Sequence, residues 1–471
     1  MGTPPERPVV AVANRLPVQQ GPDGWELSPG GLVTALGPVM ERCSGAWVGW
    51  DGGAERTPAR LPSLGIDLAP VALSPEAVAE YYHGFSNRTL WPLLHNAVEK
   101  PVFDRVWWRT YREVNQAFAD VAVEALRSQP EALLWVHDYH LMLVPQMVRE
   151  RLPEQAIGYF LHVPWPSPDL YVRLPWRAEL LRGLLGADVV SFHIERYRRN
   201  FVQACRRLLT AEGMTVQAGD LVVADGRTVQ TSASPISIDA GTLAATARSA
   251  ETDADLAALQ EQFSGRSVLL GVDRLDYTKG IIERLLALEL LLERRPDLRT
   301  SLVFVQVAVP SRDDVQEYRD LRDRVEQTIG RINGRFTEPG LDVPVHYLYR
   351  GVGQEHLAAY YAVADALLVT PLVDGMNLVA KEYVVVQHAR HRAGALVLSE
   401  FTGAALELRE ATMCNPYDVE GLSTQIERAL EQPEREGRRA IGSMARRVHT
   451  HDVHHWVDGQ LGAVDADRST G

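Results

Sequence analysis

Two cations, Arg274 and Lys279, stand in the stretch Gly271 to Leu285 (GVDRLDYTKGIIERL), where an apolar strand, Ser267 to Val272, should give way to a short turn and then a helix. A helix start offers unpaired N–H groups and the positive end of its dipole, so two side-chain cations beside it suit a polyanion such as a diphosphate. For an isolated R-x4-K pair, solvated surface charge would be the better reading. It loses ground here because further phosphate-type signals recur at strand ends.

Val9 to Ala13 reads as a short buried strand, and Asn14-Arg15 follows it. That places a second basic residue at a strand's C-terminal edge, where open α/β sheets bind ligands. A polar hairpin-like segment comes next, then Ser28-Pro29-Gly30-Gly31 opening an apolar helix from Leu32. Paired glycines before a helix let backbone N–H groups approach a phosphate or sugar, although Gly-Gly is more often a plain turn. Later strand ends carry Arg312 (after VQVAVPS), Asp374 (in TPLVDGMN) and, further on, Glu382 (in LVAKEY). Asp374-Gly375-Met376-Asn377 should open a helix with its N–H groups turned to an anion, and Glu382 should lie about two turns into that helix. There Glu382 could accept two hydrogen bonds from a ribose, or equally form a salt bridge to Lys381 or another neighbour.

Tyr81 to Asn87 (YYHGFSN) with Leu90-Trp91-Pro92 is an aromatic, polar-dotted stretch without clear periodicity. Aromatic faces beside hydroxyls and amides suit a sugar ring, although aromatic residues more often fill a core. Leu133 to Val136 is a strand running into His137-Asp138-Tyr139-His140, and Ala156 to Leu161 is another running into His162. On a strand Asp138 would face away from its two neighbours, and no further ligand set is evident, so a metal site at HDYH is rejected.

The elements that must position these residues alternate. Ala187 to Phe192 is a further strand, and Glu195 to Leu209 a basic amphipathic helix whose arginines read as a solvated face. Strands at 267–272, 301–309, 345–349, 366–370, 394–399 and 411–414, separated by helical segments, predict a parallel, doubly wound sheet. The pattern changes around Ser232 to Asp239, which places a lobe boundary there. The histidine-dense end, His449 to Trp456, reads as a terminal amphipathic helix with Trp456 buried rather than a metal site.

Composition narrows the class. With 471 residues and 46% hydrophobic content, the chain can bury cores in two or three domains or two joined lobes. Cys43, Cys205 and Cys414 form neither a disulfide framework nor a zinc pattern and fit a reducing compartment. The start MGTPPERPVV lacks an apolar secretion segment, and no apolar run would span a bilayer, so a cytoplasmic location is expected. A formal net charge of −13 disfavours nonspecific binding to nucleic acid or membrane. Any anionic ligand must then be held by a local Arg and Lys cluster working against the overall field.

The segments ANRLP (13–17), PGGL (29–32), EYYHGFSNRTLWP (80–92), WVHDYHL (135–141), FLHVPWPSP (160–168), GVDRLDYTKG (271–280), VAVPSRDDV (307–315), TPLVDGMNLVAKEY (370–383) and NPYD (415–418) lie in order along the chain. Together they resemble the trehalose-6-phosphate synthases, the retaining glycosyltransferases of family 20, over nearly the whole length. The resemblance implies a GT-B fold of two Rossmann-like lobes with the active site in the cleft between them. An acceptor lobe would span 1–235, with the C-terminal helix of about 451–466 packing back on it, and a nucleotide-sugar lobe 236–450. It implies transfer of glucose from a nucleotide-glucose donor, UDP-glucose by family default with GDP- or ADP-glucose as alternatives, to glucose 6-phosphate, giving an α,α-1,1 linkage.

By the same resemblance Arg274 and Lys279 hold the donor diphosphate, with backbone groups at Gly30-Gly31 and at Leu378, Val379, Ala380, Lys381 and Glu382. Glu382 holds the ribose, and His162 and Asp374 contact the transferred glucose. Arg15, Tyr82 and Arg312 grip the acceptor's phosphate, Trp91 packs beside it, and Asp138 bonds the acceptor sugar. No covalent nucleophile, metal or cofactor is expected. Relatives are often dimers or tetramers, so a homo-oligomer is expected, and because the sequence stops soon after the synthase-like region no fused phosphatase domain is expected. Ser237 stands where a glycine is common, and Val352 where some members have an aromatic near the nucleotide, which leaves base recognition open. The rivals are a pseudo-glycosyltransferase coupling a cyclitol, which loss of acceptor-phosphate or donor-sugar residues would signal, and a silent pathway regulator, which should have lost Arg274, Lys279 or Asp374; all of these residues are present.

Overall fold

The computed structural model describes residues 7–21, 24–27, 33, 36–37, 40, 43, 45–53, 58–61, 66–210, 213–217, 222–224, 226–312, 314–338, 340 and 342–469. The chain divides into two compact units, 1–236 with 453–471, and 237–452.

The first unit is built on a ten-stranded sheet. Its parallel strands are β1 (Val9–Arg15), β2 (Gly45–Trp50), β3 (Ile66–Val71), β4 (Leu133–His137), β5 (Ile157–Phe160), β6 (Val189–Phe192) and β7 (Arg227–Ala233). They lie in the order β7-β6-β5-β4-β1-β2-β3, with short antiparallel strands at each edge. From β1 the chain first builds outward through β2 and β3, then returns to lay β4 on the other side of β1. This reversal leaves a crevice at the C-terminal ends of β1 and β4, the place where open α/β sheets take ligands. Central strands such as β4 (LLWVH) are buried throughout and read as unbroken apolar runs, because helices cover both faces of a parallel sheet.

The second unit has a six-stranded, all-parallel sheet of β8 (Ser267–Arg274), β9 (Leu302–Val309), β10 (Val345–Leu348), β11 (Ala366–Val369), β12 (Ala395–Ser399) and β13 (Thr412–Cys414). The order β10-β9-β8-β11-β12-β13 repeats the same reversal, here between β8 and β11. Its core packs the helix Ile281–Arg294 through Ile281, Leu285, Leu288 and Leu292 onto Leu269, Phe304 and Leu368 of the sheet.

Several expectations meet a different local structure. The strand from Val9 runs on through Arg15 rather than stopping at Ala13. The aromatic stretch, which shows no clear periodicity in the sequence, is helical: Val78–Leu90 is wound as a π-helix, with the Trp91 N–H bonding the Ser86 carbonyl at its end. A π turn takes more residues than an α turn, so a search at the α-helical period finds nothing there. At HDYH the strand ends with His137, Asp138 takes φ 71°, and Tyr139–Leu141 is a short 3₁₀ turn. The strand-alternation argument against a metal therefore does not apply at that position. Among the described residues no three His, Cys, Asp or Glu side chains are grouped to hold a metal ion.

The three cysteines are buried and form no disulfide. Trp456 is buried against Trp135 and Phe160, which fastens the helix Val453–Ser469 to the first unit. Among the described residues no helix is long and apolar enough to cross a membrane.

Candidate functional site

In the second unit β8 delivers Arg274 at its last position, and Leu275 N–H bonds the Val309 carbonyl at 2.8 Å, keeping the exit aligned with β9. A 3₁₀ turn, Tyr277–Lys279, follows and ends on Gly280 at φ 62°. That left-handed conformation favours glycine, and a Cβ at Gly280 would meet the Thr370 carbonyl oxygen at 2.1 Å. The turn is thus pressed against the end of β11, where Leu372 N–H also bonds the Thr278 carbonyl at 2.8 Å. The helix Ile281–Arg294 starts immediately after it.

Asp276 lies at the centre of this turn. Its Oδ1 accepts from the Thr278 N–H at 3.0 Å and the Thr278 hydroxyl at 2.8 Å. Its Oδ2 accepts from Arg312 Nη1 at 3.2 Å and the Tyr318 hydroxyl at 3.1 Å. Complete burial pushes this carboxyl's pKa up, but Arg312, Arg274 and Lys279 together pull it down further, to about 2. Asp276 is therefore a buried anion gathered among three cations. On the other side Lys279 Nζ pairs with Asp374 Oδ2 at 2.6 Å, and the same oxygen accepts from Asn377 Nδ2 at 3.1 Å. Asp374 Oδ1 accepts from the Gly375 N–H at 2.9 Å, so the loop after β11 is tied to the loop after β8 through one carboxylate.

Asn377, at φ 69°, caps the helix Leu378–Ala389 by accepting from the Ala380 N–H at 3.2 Å. This corrects the expected helix start. The helix opens at Leu378 rather than Asp374 because Asn377 takes a left-handed conformation, so Glu382 lies little more than one turn in. Leu378, Val379 and Ala380 form the first turn, although the cap already uses the Ala380 N–H. Lys381 turns into the interior and pairs with Glu407 at 2.7 Å. Glu382 Oε2 accepts from the Tyr361 hydroxyl at 2.7 Å, and burial raises its pKa while Tyr361 partly opposes the rise. Val352 is half-buried in the loop between β10 and the helix Gln354–Val363.

The first unit uses different means. Arg15, exposed at the end of β1, lies over the Trp50 ring at 4.6 Å and the Tyr82 ring at 5.6 Å. Tyr82 projects from the π-helix and stacks on His140 at 5.8 Å, 14° from parallel. Trp91 is buried, 5.6 Å from the Tyr139 ring. Asp138 is held by its backbone: its N–H bonds the Phe160 carbonyl at 2.8 Å and its carbonyl accepts from the Tyr159 hydroxyl at 2.9 Å. One carboxylate oxygen accepts from the His162 N–H at 3.3 Å. His162 Nε2 lies 3.1 Å from His137 Nδ1, and His193 Nε2 donates to the His162 carbonyl at 3.0 Å. Burial, then the neighbouring His137 and His193, hold His162 well below the usual imidazole range, so it is neutral at physiological pH.

The structure thus brings Arg274, Lys279, Asp374 and Arg312 together at one reversal point, with the first turn of Leu378–Ala389 following on the loop after β11. It brings Arg15, Tyr82, Asp138 and His162 to the C-terminal strand ends of the first unit. Gly30 and Gly31 lie outside the described residues. Asp276, Tyr318 and Arg284 escaped the sequence reading. Asp276 stands in the very motif that was singled out, as D-x-T before a turn. Arg284 occupies an apolar-face position between Ile281, Leu285 and Leu288, where a charge signals a buried partner.

The sequence matches the model of glycosyltransferase family 20 over residues 7–465. Among curated relatives, the trehalose-6-phosphate synthase of Mycobacterium ulcerans (strain Agy99) is 46% identical over 475 residues, covering 98% of this chain and 94% of that protein. Among solved structures, a UDP-forming α,α-trehalose-phosphate synthase from Burkholderia xenovorans in complex with glucose-6-phosphate superposes with a TM-score of 0.87 at 33% identity, over 97% of this chain and 100% of the other. An E. coli protein solved bound with UDP-2-fluoro glucose gives a TM-score of 0.87 at 34% identity, over 97% and 98% of the two chains.

Proposed function

The chain belongs to glycosyltransferase family 20, with the GT-B fold, and from that premise we propose that it moves glucose from a nucleotide-glucose donor to glucose 6-phosphate, with retention, giving α,α-trehalose 6-phosphate and a nucleoside diphosphate. The observation that carries this reading is the turn after β8, where Arg274, Lys279 and Arg312 surround Asp276 beside a helix start.

Breaking the anomeric bond builds negative charge on the departing diphosphate. Cations already in place bind that charge more strongly as it develops, which lowers the barrier without reorganisation. Arg274 and Lys279 take this part. Lys279 is held by Asp374 at 2.6 Å, which fixes its ammonium and leaves Asp374's loop beside the sugar being transferred. The helix Leu378–Ala389 adds its N-terminal dipole, and Glu382 receives the ribose.

Acceptor binding falls to Arg15, with Tyr82, Trp91 and Asp138 shaping the surround, and to Arg312 on the acceptor's phosphate. Neutral His162 donates or accepts a hydrogen bond on the transferred glucose without adding charge. The leaving phosphate itself takes the acceptor's proton, so no side-chain nucleophile is assigned. In this reading 1–236 with the C-terminal helix mainly serves the acceptor and 237–452 mainly the nucleotide sugar, with Arg312 and His162 each serving the other substrate. A cytoplasmic homo-oligomer, dimer or tetramer, belongs to the same proposal and is read by sedimentation.

UDP-glucose is the proposed donor, because the two solved relatives above are described as UDP-forming and as bound with UDP-2-fluoro glucose. The test measures nucleotide release from UDP-, GDP-, ADP- and TDP-glucose with and without glucose 6-phosphate. Acceptor-dependent release, greatest with UDP-glucose, supports the reading; no acceptor-dependent turnover with any donor rejects it.

A further inference from the structure

Beneath the cationic turn lies a charge that the reaction scheme above does not use. Arg284, in the first turns of the helix Ile281–Arg294, has no exposed surface, and its guanidinium reaches three separate strands. Nη1 donates to Asp273 Oδ2 at 2.6 Å, and Asp273 directly precedes Arg274 on β8. Nη1 also donates to Gln306 Oε1 on β9 at 2.8 Å. Nε donates to the Thr370 hydroxyl at 3.0 Å at the end of β11. That hydroxyl in turn donates to the Gly280 carbonyl at 3.2 Å, and the Arg284 N–H bonds the same carbonyl at 3.0 Å.

One planar fork therefore fixes both ends of the turn, Asp273 at its entrance and Gly280 at its exit, against the two neighbouring strands. Room has been made for it. A Cβ at Gly271 would meet Arg284 Nη1 at 2.5 Å and Gln306 Oε1 at 2.6 Å, so any side chain at this strand position would push the guanidinium or its glutamine partner aside. A lysine could keep the charge beside Asp273, but it lacks the fork that reaches Gln306 and Thr370 together.

We propose that Arg284 is a positioning residue of the donor site: by clamping Asp273 and the Thr370–Gly280 contact it sets where Arg274 and Lys279 point, and so sets affinity for the diphosphate. The inference rests on the reading that Arg274 and Lys279 hold that group. Arg284 does not touch substrate. Its effect should fall first on the diphosphate and on turnover, while recognition of glucose 6-phosphate, which Arg15 and Tyr82 of the other unit share with Arg312, should change far less.

The test uses the full chain with two variants, Arg284→Lys and Thr370→Val. The second leaves the Arg284–Asp273 pair in place, so it decides the matter if the first fails to fold. UDP, and separately inorganic pyrophosphate, are titrated calorimetrically into each protein, and kcat and both KM values are measured on the folded enzyme. The expected result is a loss of UDP affinity of about tenfold or more for Arg284→Lys and several-fold for Thr370→Val. Turnover should fall in parallel, with the KM for glucose 6-phosphate within about threefold of the parent. Variants that melt earlier but bind UDP and turn over as the parent does would overturn the inference, since the fork would then serve stability alone. A parent protein that binds neither UDP nor pyrophosphate would instead reject the reading of the site on which the inference stands.

Discussion

The two units carry their site residues at the same topological place, yet they solve different electrostatic problems. In 237–452 the reversal between β8 and β11 gathers Arg274, Lys279 and Arg312, and balances them with Asp276 and Asp374, both buried. In 1–236 the reversal between β1 and β4 presents a single arginine lying over two aromatic rings, with a backbone-held Asp138 and neutral His162 nearby. On the proposed reading, the diphosphate leaving group gains negative charge during reaction, so its site needs the fixed cations Arg274 and Lys279 and anions to keep them apart beforehand. The phosphorylated sugar gains no charge, and on the same reading it is met by Arg15, ring faces and neutral hydrogen-bond partners of the first unit together with Arg312 of the second. The fold supplies the crevice in both cases, and the residues at the strand ends decide which anion each one suits.

The largest break in this contrast should come from Arg274→Ala. Loss of a fixed donor to the developing charge should cut kcat by about 10²–10³, with the circular dichroism spectrum unchanged. Near-normal turnover would remove Arg274 from the leaving-group site. Next is Asp374→Asn, which removes the charge of Lys279's 2.6 Å partner while keeping the side chain's size. Turnover should fall by about tenfold or more in steady-state assays, because a flexible ammonium is a weaker electrostatic catalyst than a fixed one. If the variant only raises the KM for glucose 6-phosphate, the pair has been assigned to the wrong substrate.

In the first unit Tyr82→Leu removes one of the two rings beneath Arg15. The KM for glucose 6-phosphate should rise several-fold, with donor KM unchanged, since an exposed cation–π contact contributes about 0.5–1 kcal/mol. A change confined to the donor would contradict the division of labour.

Acid should separate the units most gently. His137, fully buried, has its pKa lowered by burial to about 3, and His162 is lowered in the same direction. The unfolded chain takes up those protons near the ordinary value of 6.5, so stability is intact above about 6.5. For His137 it is then lost as pH falls toward 3, by up to about 1.4 kcal/mol per pH unit, and His162 adds a loss in the same direction. Asp276, lowered to about 2 with burial outweighed by its cations, contributes stability above its unfolded value of 3.8 and loses it only as pH falls toward 2. Between pH about 6 and 4 the first unit should therefore lose amide-exchange protection before the second does. Equal loss in both would mean that the histidine cluster is not the acid-sensitive element.

Much of this was legible in the chain itself. The strand-to-helix switch at GVDRLDYTKG and the alternation through the second half come from unbroken apolar runs and glycines, which local physics marks plainly. The helix at Tyr81 to Asn87 was not, because π winding breaks the periodicity by which helices are recognised. Nor was the true start of the helix carrying Glu382, which depends on Asn377 adopting a left-handed cap. Glu382's bond to Tyr361 depends on contacts far apart in the chain, as do the roles of Asp276 and Arg284. Spacing along one element does not reveal such partners.

The most direct test of the account is a crystal structure of the chain with UDP bound. The account predicts the diphosphate beside the Arg274 guanidinium and the Lys279 ammonium, with the ribose at Glu382. A diphosphate lodged anywhere else, with the 271–280 turn left empty, would contradict it.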